Sequence, residues 1–242
     1  MSVRVVVCEG YHDRSFWAAW LARLGCTDIR MSSDLAVAVV KRFAVKGTFG
    51  YLTPSGVGLL LTCPDRNRYP GRDGMKQAVG NLLATPLGGI DHLLVSVDSD
   101  ADGEAAGSAL CEADVRQWAD LSAIPRVDVT LWQADDPPTP GIPTKQTLER
   151  LVCASVAAAY PACAADVQAW LDGRHPGPGD PAAHSGAMQA KSAAFSYQAG
   201  WFPNRIGDDF YRAVWDDLAI ASELEARLAT SGALAVAQAL TA

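Results

Sequence analysis

Two kinds of periodicity divide the chain. Short continuous apolar runs, "VRVVVC" (3–8), "GVGLLLTC" (56–63), "HLLVSV" (92–97) and "RVDVTLWQ" (126–133), have the length and β-branched character of buried strands. Between them lie segments with a helical repeat. In "HDRSFWAAWLARLG", Phe16, Trp17, Trp20, Leu21 and Leu24 recur every three or four residues, and Gly25 follows as a helix stop. A weak strand is expected in "TDIRMSS" and helices in "LAVAVVKRFAVKG" (35–47), from about Met75 to Leu83, and in "GEAAGSALCEADVRQWADL" (103–121). Strands alternating with helices predict an α/β fold with a mostly parallel sheet flanked by helices.

The pattern changes at "ADDPPTPGIP" (134–143), where Pro137, Pro138, Pro140 and Pro143 forbid regular structure. Beyond it the apolar repeat is helical in "TKQTLERLVCASVAAAY" and "AADVQAWL". After the loop "DGRHPGPGDPAAHSG" it stays helical to the end. The expected organisation is an α/β domain over 1–135 and a mainly helical C-terminal extension over 144–242, packed on the core or completing it.

Composition narrows the setting. With 49 % hydrophobic and 19 % charged residues and no 18-residue apolar run, the chain reads as globular and without a membrane span. Its start, "MSVRVVVCEG", has too short an apolar stretch for a secretory signal. Cys8, Cys26, Cys63, Cys111, Cys153 and Cys163 are scattered singly through apolar segments, without a Cys-x-x-Cys pair, which argues against zinc and for reduced, buried thiols. A cytoplasmic protein is expected. The net charge of −7 confers no general affinity for polyanions, so any nucleic-acid contact needs a local basic patch or a bound metal.

Candidate chemistry is concentrated in "HLLVSVDSDADGE", where an apolar strand runs into Asp98, Asp100 and Asp102. At positions i and i+2, Asp98 and Asp100 point to one side of an extended chain, joined by Ser96. Close carboxylates repel, and a hard divalent cation relieves the repulsion. The run also matches the start of a calcium loop, but Ala109 stands where the bidentate Glu belongs. A phosphatase reading makes Asp98 the nucleophile and Asp100 the acid. The bland alternative has Asp102 capping the next helix while the other acids are solvated. The second element is "VVVCEGYHDRSF": Glu9 ends the first strand as Asp98 ends a later one, Asp13 in the first helical turn can return toward Glu9, and Gly10 permits a sharp turn and close approach to a ligand.

On "VVVCEGYHD" and "LLVSVDSDADG" the chain resembles the TOPRIM fold of bacterial primases, topoisomerases, ribosomal-RNA maturases and overcoming-lysogenization-defect nucleases. The likeness covers roughly residues 1–135 and suits a small stand-alone TOPRIM-like protein. It implies that Glu9 is a general acid or base that can also contact metal, and that Asp98 and Asp100 hold Mg²⁺ or Mn²⁺. The nuclease branch further implies metal-site roles for Asp13 and Glu149, a catalytic role for Lys191, and Ser96 near the phosphate. Gly10 and Gly103 belong to the phosphate-approach turns of these motifs.

Separately, "DRNRYPGRDGMK" gathers Arg66, Arg68, Arg72 and Lys76 in a polar loop able to bind phosphates, or simply to be solvated. The resulting expectation is a Mg²⁺-dependent phosphodiester-processing enzyme, above all a nuclease acting on DNA, RNA or a nucleotide phosphoester. The competing class is a non-catalytic metal- or nucleotide-binding module with a regulatory or assembly role.

Overall fold

The computed structural model describes residues 3–29, 48–64, 71–84, 89–101, 113–118, 121, 124–137, 142–173 and 186–242, with the side chains of 71, 171 and 186–193 excepted. Strand β1 (Val3–Cys8) is followed by helix α1 (Tyr11–Arg23), then β2 (Thr27–Asp28), β3 (Phe49–Leu52) and β4 (Gly58–Thr62). Helix α2 (Gly71–Ala84), β5 (Ile90–Asp98) and β6 (Arg126–Trp132) come next. The remainder is helical: α3 (Leu148–Ala159), α4 (Pro161–Asp172), α5 (Gly186–Trp201), α6 (Asp208–Asp216), α7 (Leu218–Thr230) and α8 (Ala233–Thr241).

The six strands form one sheet in the order β2-β3-β4-β1-β5-β6. At its centre, β1 pairs in parallel with both β4 and β5, with Val6 level with Leu61 on one side and Leu94 on the other. These strands read as unbroken apolar runs because both faces are covered. Val5–Val7, Leu59–Leu61 and Leu93–Val95 are all at most 1 % exposed. The expected α/β architecture, a mostly parallel sheet flanked by helices with a helical C-terminal part, is what the chain adopts.

One edge departs from the sequence expectation. Strand β3, which the pattern reading did not anticipate, pairs antiparallel with β4 and with β2. The turn between β3 and β4 is local: Thr53 N–H donates to Val57 O at 2.9 Å, and Gly56 takes a positive φ of 80°. "TPSG" between apolar runs is a hairpin signal, and it sits just before a strand whose own start is clear. The expected helix over 35–47 and most of that over 103–121 lie outside the described residues.

Helix α1 is held to the sheet by its aromatic face. Phe16, Trp17 and Trp20 are buried, and the Trp17 and Trp20 rings sit 4.7 Å apart. Trp17 Nε1 donates to Ser96 Oγ at 2.9 Å inside the core. Gly25, at φ 82°, ends the helix as its sequence position predicts.

The chain forms two compact units. The sheet unit comprises Met1–Val97, Leu110–Thr130 and Ala233–Ala242, and the helical unit comprises Asp98–Ala109 and Leu131–Gly232. The proline-rich stretch therefore lies within the helical unit. The last helix, α8, belongs with the sheet, where the Arg4 guanidinium donates to Leu240 O at 2.7 Å. In the helical unit α3 is buried nearly all round, packed against α4, α5 and α7. Its apolar surround explains why "LERLVCASVAAA" has so few polar positions.

Two predictions follow from the sheet unit. Ser96→Ala leaves a buried Trp17 N–H unpaired, so the urea midpoint should fall by the equivalent of about 1–3 kcal/mol with the slope unchanged. His92, buried on β5 with Nε2 2.8 Å from Asp128 Oδ2, has its imidazole pulled below the ordinary value of 6.5 by burial, against the opposing pull of Asp128. A depressed folded value means that its stabilising contribution is full above 6.5 and is lost as pH falls through the folded value. Unfolding free energy measured from pH 7.5 downward should decline below about 6.5, and His92→Gln should flatten that slope by up to about one proton.

Candidate functional site

In the parallel sheet, β1 and β5 are neighbours with Cys8 level with Ser96, and Glu9 N–H donates to Ser96 O at 3.2 Å. Both chains therefore leave the sheet at the same, C-terminal edge, where open parallel sheets bind ligands. The residues they lead into are Glu9-Gly10 after β1, and Asp98, the last residue of β5, with Ser99 and Asp100 beyond it.

In the sheet unit, Glu9 is half-buried. Gly10 is the N-cap of α1 in an extended conformation (φ −149°, ψ −176°) that any residue can take, so no special turn rests on it. Asp13 is buried in the first turn of α1, beside Cys8. Burial, the Asp13 charge and Cys63 push the Cys8 thiol well above its ordinary value, with Arg14 opposing them, so Cys8 stays a neutral core group. Ser96 has no exposed surface, and its hydroxyl accepts from Trp17 in a core hydrogen bond. Arg14 is a residue the sequence reading passed over. Its guanidinium carbon lies 4.2 Å from the Phe49 ring centroid and 5.0 Å from that of Tyr11, a cation–π contact that joins α1 to β3. The signal was present in "EGYHDR", but its aromatic partner is distant in sequence.

In the helical unit, Asp98 Oδ1 accepts the backbone N–H of Leu148, the first residue of α3, at 2.8 Å. The Thr147 side chain caps the same helix by accepting from Arg150 N–H. Asp98 thus faces the positive end of the α3 dipole. Asp100 takes a left-handed backbone (φ 57°), a conformation that Asp tolerates better than most residues. A two-way backbone bridge holds it there: Asp100 N–H donates to Gln146 O, and Gln146 N–H to Ala101 O, both at 2.9 Å. Lys145 Nζ stands 3.7 Å from Asp100 Oδ1. The repulsion expected between the two acids is therefore countered by the protein itself, through a helix N-terminus at Asp98 and an ammonium at Asp100.

The source of this order is the run "TKQTLER". The Gln146 amide pairs with Ala134 in both directions, accepting from its N–H at 2.8 Å and donating to its O at 3.1 Å. Arg150, 1 % exposed, donates to Ala134 O, Pro143 O and Asp136 O. Glu149, expected as a metal ligand, is buried in the first turn of α3, one turn before Cys153. Lys191 falls in α5, where its side chain lies outside the described residues. Lys145, which the sequence reading did not single out, stands beside Asp100 and directly precedes the Gln146 bridge; adjacency to a helix cap is the sequence clue to it. Arg72 lies in the first turn of α2, whereas Arg66, Arg68 and Gly103 lie outside the described residues.

The expected ligands Glu9, Asp13, Asp98, Asp100 and Glu149 offer carboxylate oxygens, which suit a hard cation such as Mg²⁺. Among the described residues, no three His, Cys, Asp or Glu side chains stand together as a cage for an ion. A magnesium ion that keeps its waters and meets substrate phosphate needs only one or two carboxylates, so the fit asked of this chain is a pair.

No family model matches the sequence, and no curated protein matches it. Among solved structures, the chain is similar over its whole length, and that of the other chain, to a hypothetical protein from Pyrococcus horikoshii OT3, at 13 % identity and a TM-score of 0.56. This places the chain in an α/β architecture that another solved protein shares. Among the described residues, no helix is long and apolar enough to cross a membrane.

The Asp98 geometry makes a prediction independent of any ligand. Asp98→Ala removes the acceptor at the start of α3 and should cost about 1 kcal/mol. Asp98→Asn keeps an acceptor oxygen and loses only the charge–dipole part, about 0.3–1 kcal/mol. Urea unfolding of both variants measures the difference; no loss in either would remove Asp98 as the cap.

Proposed function

We propose that the protein is a Mg²⁺- or Mn²⁺-dependent phosphodiester-processing enzyme of TOPRIM-like type, a nuclease acting in the cytoplasm on nucleic acid or a nucleotide phosphoester. The observation that carries this reading is the parallel, level pairing of β1 with β5, because it sends the Glu9 and Asp98 motifs out of the sheet at one edge. Asp98 and Asp100 are the oxygen donors for the ion. When bound, the ion supplies charge neutralisation and Lewis-acid polarisation of the phosphate. Glu9 handles the proton, taking it from an attacking water or giving it to the leaving oxygen. Lys145 exchanges its contact with Asp100 for one with the phosphate, supplying positive charge that a chain of net charge −7 otherwise lacks. Cys8, Cys26, Cys153 and Cys163 are buried thiols outside any disulfide, which supports a reducing compartment.

A second reading, a non-catalytic metal- or nucleotide-binding module, is favoured by one observation: α3 and Lys145 already compensate the acids without any ion. Turnover separates the two. The enzyme should cleave DNA, RNA or nucleotide substrates with Mg²⁺ or Mn²⁺ and stop with EDTA. Glu9→Gln should lower the rate by about 10²–10⁴ while leaving the Mg²⁺-induced rise in melting temperature intact. Asp100→Asn should abolish that rise. Metal binding without turnover on any of these substrates would transfer the assignment to the module, and no metal-induced shift at all would remove both readings.

A further inference from the structure

Far along the chain from these motifs, α4 and α5 line a groove of about 620 Å³ within the helical unit. Its size falls in the range of small-molecule sites. Three aromatic side chains line it while remaining well exposed: Trp170 at 53 %, Phe195 at 56 % and Trp201 at 41 %. Trp201 is not loosely placed, because its ring stacks at 4.8 Å on Tyr160, whose hydroxyl donates to Asp217 Oδ2 at 2.8 Å. Among the described residues lining the groove, Asp166 carries the only charge. A second feature lies deeper. Tyr197 is 4 % exposed, lines the groove, and its buried hydroxyl has no hydrogen-bond partner. That hydroxyl is closed off from solvent, so the part of Tyr197 that meets the groove is its ring.

We propose that this groove binds a small organic ammonium with a planar apolar body, its N–H groups directed to the Asp166 carboxylate and its charge to the aromatic rings. The chemistry follows from the lining. Aromatic faces are negative and attract a cation, the Asp166 carboxylate adds to that field, and indole and phenyl surfaces stack on a flat apolar body. An anionic ligand would meet repulsion from both sources. The site is separate from the carboxylate edge and does not depend on the phosphodiester reading.

Titration of the full-length protein with phenethylammonium, 2-phenylethanol and 3-phenylpropionate, read by tryptophan fluorescence and calorimetry, tests the charge preference at nearly constant shape. Phenethylammonium should bind about tenfold tighter than the alcohol, and the carboxylate weakest. Asp166→Asn, at an exposed position, should narrow the difference between ammonium and alcohol, and Trp170→Ala should weaken both. Tyr197→Phe, which keeps the ring and removes a closed-off hydroxyl, should leave the order of the three probes unchanged. Equal binding of all three probes, preference for the carboxylate, or no binding would overturn the proposal. So would a dimer on size-exclusion chromatography that Trp170→Ala dissolves, since the groove would then belong to a second copy of the chain.

Discussion

A strand buried on both faces governs the sheet unit. Apart from Arg4, β1 is a run of valines ending in a cysteine, so neither of its faces can meet water and its backbone groups must pair on both sides. Parallel partners, β4 and β5, provide that pairing, and parallel neighbours need long returns through helices. The layered architecture and the shared C-terminal edge both come from this constraint. Glu9 is placed at the edge by strand direction alone.

The helical unit depends on a different device. The proline-rich stretch cannot form a ladder, so its carbonyls need donors from elsewhere. Arg150 supplies several N–H groups from one side chain, and burial, which lowers its affinity for the proton, is opposed by the charges of Asp136 and Asp135. Asp136 is engaged a second time by Arg227, which lies between it and Glu223. Arg227 holds the Asp136 carboxyl below the ordinary range against the effect of burial. Ala134, Asp136 and Pro143 are thereby tied to α3, at whose start Asp98 and Lys145 are found.

This bears on how the acidic motif should be read. Carboxylates gathered at a strand end suggest a cation, yet a helix N-terminus and an ammonium supply part of the same compensation. The two roles are compatible, since a cap engaging one oxygen also orients a carboxylate. The chemistry proposed here uses that orientation, with Lys145 as the group that can change partners.

Much of this architecture was legible from the chain itself. Apolar runs with a two-sided character located β1, β4 and β5, the aromatic repeat located α1, and the prolines marked where regular structure stops. Local pattern suffices in these places because burial on both faces, or along one stripe, leaves a periodic trace. The residues around the aspartates were less accessible. Glu9, Asp98 and Asp100 stand out as acids after strands, but that Asp98 caps α3, that Lys145 faces Asp100 and that Ser96 turns inward to Trp17 depend on partners 45 to 79 residues away. Sequence determines which groups are present and the local elements that carry them. Which donor meets which acceptor across such separations is decided only when the tertiary fold closes, because a hydrogen bond or ion pair between distant segments leaves no periodic mark in either one.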